Sequence, residues 1–307
     1  MLPKIPMTLL LRFTASAITA TATFLFIRRI RREISLSALR RQIREALQPL
    51  LPRPPSILIM GFRSQGKSSF LNTACRALAS ESDPILLLRA ETAPPGAAPV
   101  SQSSRIVRAF VADPGGAGVE PVAVDLIDGP PLPDAAGMTR ADVEAAIVGT
   151  PAPECVILVF RCSGSLKERA IAVKKLTDIA SVVRERGLHV VVVLTHKRVL
   201  RNMKQTEELQ REVAFRARTD CVYFVENYTA SPNISIHHPT TIKNDHDTNF
   251  TALSIIRQCV EFTRLYRSHT TSPKSLFMSS ALATSAPGLN KSMSRNIDAF
   301  RSQDLLK

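Results

Sequence analysis

Six short apolar runs punctuate the middle of the chain, at residues 56–60, 106–111, 122–127, 156–160, 189–194 and 222–225. Runs this short, bounded by turn residues, suit buried strands, and the segments between them carry helical spacing. Residues 69–78 make the first such helix. A shorter one begins at Thr139-Arg140-Ala141-Asp142. A third opens on the capping box Ser165-Leu166-Lys167-Glu168 and runs to a stop at Gly187, with Ile171, Leu176, Ile179 and Val183 as its buried stripe. Tracts at 200–218 and 249–267 complete the helical layer. Strands alternating with helices predict an α/β fold of three layers, a mainly parallel sheet with helices on both faces.

The connection between the first strand and the first helix carries the clearest chemistry. Residues 61–68 read Gly-Phe-Arg-Ser-Gln-Gly-Lys-Ser, a complete Gly-x4-Gly-Lys-Ser phosphate-binding loop in a strand–turn–helix context. In that geometry backbone N–H groups along Gly61, Arg63, Ser64, Gln65, Gly66 and Ser69 and the positive helix end cradle phosphates. Lys67 reaches the β and γ oxygens, and the Ser68 hydroxyl ligates Mg2+. The run 122–127 ends in Asp128, about 60 residues after the lysine, where this class places its second Mg2+-linked acid. Asp125, in the same run, points to the side opposite Asp128 and away from the strand's carboxyl end, so a structural partner is expected for it.

Four segments between residues 55 and 268 give the chain a resemblance to the P-loop GTPases of the septin and AIG1-like kind, the interferon-induced-44 group among them. They are the phosphate loop, Ile127-Asp128-Gly129-Pro130-Pro131 as a variant of the Asp-x-x-Gly motif, Leu194-Thr195-His196-Lys197-Arg198 at the base-recognition position, and residues 222–229, ending Glu226-Asn227-Tyr228-Thr229, as the closing strand and base-contacting loop. The resemblance implies a GTP-binding fold, Mg2+ as cofactor held by Ser68 and Asp128, and nucleotide contacts from Thr195, His196, Lys197, Glu226 and Asn227.

Two segments depart from the family pattern. Pro131 stands where a glycine N–H would contact the γ-phosphate, and proline has no N–H; Gly129 could supply a substitute amide in a shifted loop. Arg198 stands where an aspartate would accept two hydrogen bonds from guanine. Guanine preference therefore comes from the resemblance, and ATP stays open as the nucleotide. Residues 129–134 contain no glutamine or histidine to orient water, so hydrolysis is expected to be slow. Arg63 and Gln65 are candidates for help in cis. Thr92 and residues 101–104 are the candidate hydroxyls for a mobile first switch.

The chain has 307 residues and a net charge of +14, and residues 1–48 supply nine Lys and Arg against two Glu, half of the total. Residues 7–27 approach the length of a membrane span and precede Arg28, Arg29, Arg31 and Arg32, which would hold the following domain in the cytosol. The same segment has the acid-poor, Arg- and Ser/Thr-containing composition of a mitochondrial presequence, the alternative location. Residues 34–47 form an amphipathic basic helix suited either to an anionic membrane surface or to packing on the nucleotide domain. Prolines 49, 52, 54 and 55 mark a stiff linker.

The expected organisation is a targeting or anchoring segment at 1–32, a basic helix and linker at 33–54, the nucleotide domain at 55–268 and a disordered tail at 269–307. With no Trp and three Tyr, the basic charge lacks the aromatic interleaving of a nucleic-acid binder. Five scattered cysteines lack metal spacing, and His237, His238, His246, Asp245 and Asp247 sit in a polar stretch expected to be a solvated loop. The expected partners are nucleotide, a membrane, and a second copy of the chain across the nucleotide face. The leading functional expectation is a membrane-tethered GTP-binding switch with slow hydrolysis. A non-hydrolysing nucleotide-binding scaffold and a P-loop ATPase are its rivals.

Overall fold

The computed structural model describes residues 7–81, 89–90, 104–113, 121–200, 202–229 and 244–270, with side chains at Ser16 and from Ile18 onward. The chain falls into two compact units, Met1–Tyr266 and Arg267–Lys307. The first holds a six-stranded sheet: β1 (Ser56–Met60), β2 (Arg105–Phe110), β3 (Ala123–Asp128), β4 (Cys155–Arg161), β5 (His189–Thr195) and β6 (Val222–Val225). Their order in space is β2-β3-β1-β4-β5-β6, all parallel except β2, which runs antiparallel to β3. This is the α/β, three-layer P-loop arrangement, with β1 central and its carboxyl end flanked by those of β3 and β4.

Two apolar layers cover the sheet. On one face Ile57, Ile59, Val124, Leu126, Ile157 and Val191 pack against α2 (Lys67–Leu78), α6 (His246–Thr270) and the second half of α1 (Met7–Leu47). On the other, Leu58, Met60, Ile127, Leu158 and Val192 pack against α3 (Arg140–Val148), α4 (Leu166–Glu185) and α5 (Met203–Ala217). Alternate residues of one strand serve opposite cores, which is why the strands read as unbroken apolar runs. Both expected capping boxes close: Thr139 with Asp142, and Ser165 with Glu168 at 3.2 Å in each direction. Leu176, Ile179 and Val183 are fully buried, while Ile171 is half-buried at the stripe's edge.

The amino-terminal helix corrects one expectation and decides between the two alternatives of another. No helix among the described residues is long and apolar enough to cross a membrane; Arg12 and six Ser and Thr dilute the apolar run at 7–27. For residues 34–47 the structure shows the second of the two alternatives, packing on the nucleotide domain. Leu36, Leu39, Ile43, Ala46 and Leu47 are buried in the first core, each large side chain contributing about 2 kcal/mol of apolar burial. Arg40 and Arg44 also turn inward, donating to the carbonyls of Ala77 at 2.8 Å and Val111 at 3.1 Å. Helix α1 is therefore partly a core element. At the other end, α6 starts at His246, three residues before the expected 249, and Asp245 accepts from the Thr248 N–H at 2.9 Å, so 245–248 is a helix start and not an open loop. The helix also continues to Thr270, past the expected boundary of the tail.

Candidate nucleotide-binding site

The phosphate loop emerges from β1 and bends under two constraints on side-chain size. A Cβ at Gly61 would collide with the Val159 carbonyl oxygen of the neighbouring strand. Gly66 caps α2 in a left-handed conformation, φ 90°, and a Cβ there would lie 3.2 Å from the Asn227 amide nitrogen. Ser64 is also left-handed at φ 57°. Because α2 starts at Lys67, two residues before the expected 69, the N–H groups of Lys67, Ser68 and Ser69 lie in its first turn and have no acceptor four residues earlier within the helix. An anion placed there meets both those donors and the positive end of the helix.

Lys67 is buried in the loop, and its Nζ donates to the carbonyls of Gly61 and Phe62, each at 3.2 Å. Burial lowers its pKa to about 8, against the opposing pull of the Asp128 carboxylate. Asp128 Oδ2 accepts from the Ser68 hydroxyl at 2.6 Å, while Oδ1 is buried with no hydrogen-bond partner. Burial raises the Asp128 pKa, opposed by the Ser68 hydrogen bond and by the charges of Lys67 and Arg105. A buried carboxylate oxygen left unpaired beside a hydroxyl suits a hard cation such as Mg2+, so this pair fits the metal expected of it. Asp125 instead forms two hydrogen bonds with the Arg108 guanidinium at 2.8 and 2.9 Å, the structural partner anticipated for it.

The base-recognition segments meet the same loop. Thr195 is buried and donates from Oγ1 to the Gln65 carbonyl at 3.0 Å, and Asn227 donates from Nδ2 to the Gly66 carbonyl at 3.2 Å. The Asn227 Oδ1 is a second buried acceptor with no partner. His196 adopts a left-handed conformation, φ 59°, with Nδ1 3.1 Å from Thr195 Oγ1. Desolvation and then Arg161 lower its pKa, opposed by Glu226, which favours the neutral imidazole. The Lys197 ammonium lies 5.5 Å from the centre of the Phe224 ring. Glu226 accepts from the Arg198 N–H at 2.7 Å, so a carboxylate stands beside the position where the sequence lacks an aspartate.

Other expectations end differently. The Gly129 N–H donates to Ile59 O at 3.0 Å and the Leu132 N–H to Gly61 O at 3.1 Å. With Pro130, Pro131 and Pro133 lacking N–H groups, residues 129–133 have no unused amide to offer a γ-phosphate, and Gly129 cannot replace the missing donor. Gln65 is a strut: its Oε1 accepts from the Arg161 N–H at 2.6 Å, fixing the loop to β4. Arg63 is exposed on the rim of the loop. Thr92 and residues 101–103 lie outside the described residues, as do His237 and His238, and Ser104 donates to Gly149 O at 3.4 Å. Arg161, which ties Gln65 and acts on His196, was missed; its place at the carboxyl end of a strand next to β1 was the available signal.

No protein-family model matches the chain, and no curated protein matches it. Among solved structures, the chain is similar to Toc33 from Arabidopsis thaliana in complex with Mg2+ and GMPPNP, at 14% identity over 74% of this chain and 92% of that one, TM-score 0.45. A dimerization-deficient mutant of Toc33 gives 15% identity, the same coverage and a TM-score of 0.47. The SRb-GTP/SRX complex of the signal recognition particle receptor from Chaetomium thermophilum gives 15% over 59% of this chain and 94% of that one, TM-score 0.38. Likeness this distant adds nothing to the fold read from strand order and carries nothing about activity.

Proposed function

We propose that the protein is a GTP-binding switch with slow hydrolysis, holding Mg2+ between Ser68 and Asp128. The observation that carries this reading is the unpaired, buried Asp128 Oδ1 next to the Ser68 hydroxyl, in the first turn of the helix that follows the phosphate loop. The kinship with septin, AIG1-like and interferon-induced-44 proteins rests on the four sequence segments. Guanine is favoured over adenine by Glu226, whose carboxylate can accept from the guanine N1 and N2 hydrogens while still holding the Arg198 amide. Binding of fluorescent GTP and ATP analogues to the full chain, with and without Mg2+, tests this. GTP preference lost in Glu226→Gln and all binding lost in Lys67→Ala is the expected result. Equal binding of ATP would overturn the base assignment.

The second reading, a nucleotide-binding scaffold without hydrolysis, is favoured by one observation: no amide at 129–133 is left for the γ-phosphate. Phosphate release decides between the two. Measurable turnover by the wild type, increased in Pro131→Gly, supports the switch; binding without release in both supports the scaffold.

The protein is further proposed to attach to a membrane through α1 without crossing it, the nucleotide domain facing the cytosol. Phe24, Leu25, Phe26 and Ile27 are exposed on this helix immediately before four arginines. Mitochondrial import is the rival, and cleavage of the amino terminus in recovered protein would select it. A second copy across the nucleotide face would meet the exposed Arg63; a shift from monomer to dimer on adding GTP, absent in Arg63→Ala, is the check.

A further inference from the structure

A cleft of about 360 Å³ lies between α1 and the start of α6, remote in sequence from the phosphate loop and lined by Phe24, Ile27, Arg28, Arg31, Arg32, Ser35 and His246. Its size falls at the lower end of ordinary ligand pockets, which run from about 300 to 1,000 Å³. The six α1 residues recur at spacings of three, one, three, one and three, so they form one stripe along the helix. The stripe changes character along its length: Phe24 and Ile27 are apolar, and Arg28, Arg31 and Arg32 follow as a cationic block.

The floor of the cleft is built from hydrogen bonds. Ser35 donates its hydroxyl proton to the Arg32 carbonyl at 2.7 Å, so its oxygen accepts from His246 Nε2 at 2.9 Å. His246 Nδ1 donates to Asp247 Oδ1 at 3.0 Å. Asp247 stands at the rim, its pKa lowered by the hydrogen bond to His246 first and then by the charges of His246, Arg32 and Arg28. One carboxylate against three guanidinium groups leaves the cleft strongly cationic. Phe24 and Ile27 are 64% and 44% exposed at its open end, next to the equally exposed Leu25 and Phe26.

We propose that this cleft binds the phosphate headgroup of an anionic phospholipid. The ligand's polar and apolar parts match the two halves of the stripe. Phosphate oxygens accept from the arginine forks, and the first acyl carbons lie along Phe24 and Ile27. An acidic peptide would satisfy the arginines but leave the adjoining aromatic and aliphatic side chains facing water. The inference rests on the membrane attachment proposed above and adds to it a lipid preference set by named residues.

Flotation of the full chain with vesicles is the test, phosphatidylcholine alone compared with phosphatidylcholine containing phosphatidic acid. The chain has no tryptophan, so Phe24→Trp supplies a lone reporter whose emission shifts to the blue when the cleft end enters lipid. Wild type is expected to prefer the anionic vesicles. Arg28→Gln/Arg31→Gln/Arg32→Gln should weaken that binding about a hundredfold, the scale of three charges at a membrane surface. Arg186→Gln/Arg211→Gln/Arg264→Gln, which removes the same charge from other exposed sites, should change it only a few-fold; all three proteins should keep nucleotide binding as the sign of an intact fold.

Flotation with both vesicle types, at equal affinity, would overturn the headgroup site while leaving the attachment in place. An equal loss in the two triple variants would also overturn the site, reducing it to bulk charge. Inorganic phosphate at millimolar level that displaces the protein from lipid without any blue shift in its own presence supports the lipid assignment. A protein that floats with neither vesicle sinks the attachment itself, and the site with it.

Discussion

Removing the charge of Lys67 should make the nucleotide-free protein more stable at neutral pH. The lysine is buried against two carbonyl oxygens, and its pKa falls from 10.5 to about 8. A lowered pKa means that the folded state binds the proton less tightly than the unfolded chain does. The unfolded state then carries more protons within the window between about 8 and 10.5, and stability rises as pH climbs through that window. At about pH 7 the full penalty is present, about 3 kcal/mol at 1.36 kcal/mol per unit, and about 2 kcal/mol of it is relieved by about pH 10. Lys67→Met keeps the stem and removes the ammonium, at the cost of leaving the two carbonyls without their donor, about 1 kcal/mol each. The net gain near neutrality is therefore about 1 kcal/mol.

The assay is urea unfolding of wild type and Lys67→Met at both pH values, without nucleotide. Only the difference between the two proteins is read, because buried Cys75 and Cys162, pushed up to about 12, act in the opposite direction and cancel. The variant's advantage should shrink and reverse in sign as pH rises, while its nucleotide binding is lost throughout. A difference that stays flat with pH would refute the argument that burial of a charged lysine stores this energy for use when phosphates arrive.

Three further outcomes are expected. Asp128→Asn should reduce Mg2+-dependent nucleotide affinity at least about tenfold, the scale on which metal sites respond to loss of one supporting interaction, and leave Mg2+-free binding nearly unchanged by titration. Gly129→Ala should destabilise by about 1–3 kcal/mol in denaturant unfolding, since its Cβ would sit 2.9 Å from both the Ile59 carbonyl and Leu58 Cδ1, and the carbonyl cannot move without breaking the ladder. Asp125→Asn, which breaks only the exposed pair with Arg108, should leave nucleotide affinity at the wild-type value by the same titration.

The sheet and its helices were legible in the sequence because both faces of its central strands are covered, so β1, β4 and β5 read as nearly unbroken apolar runs too short to be confused with an amphipathic helix. The phosphate loop was legible because its glycines answer local demands, such as the Val159 carbonyl that leaves no room beside Gly61. What sequence could not show was set by contacts across long separations. Arg40 and Arg44 look like a solvent-facing basic stripe until the carbonyls of Ala77 and Val111 come into view. Gly129 looks like a spare amide until β1 claims its N–H. Glu226 was expected to contact nucleotide, but its place beside Arg198 shows only once β5 and β6 are seen to be neighbours.

The burial of α1 also dictates where the polypeptide can be cut. A fragment starting in the proline-rich stretch at 49–55 would strip Leu36, Leu39, Ile43, Ala46 and Leu47 from the core and uncover the surface of α2 behind the phosphate loop. Such a fragment would be sticky and lose nucleotide for reasons unrelated to its chemistry. A boundary ahead of Ser35, after the exposed aromatic turn, would keep the domain whole while shedding its greasy leader.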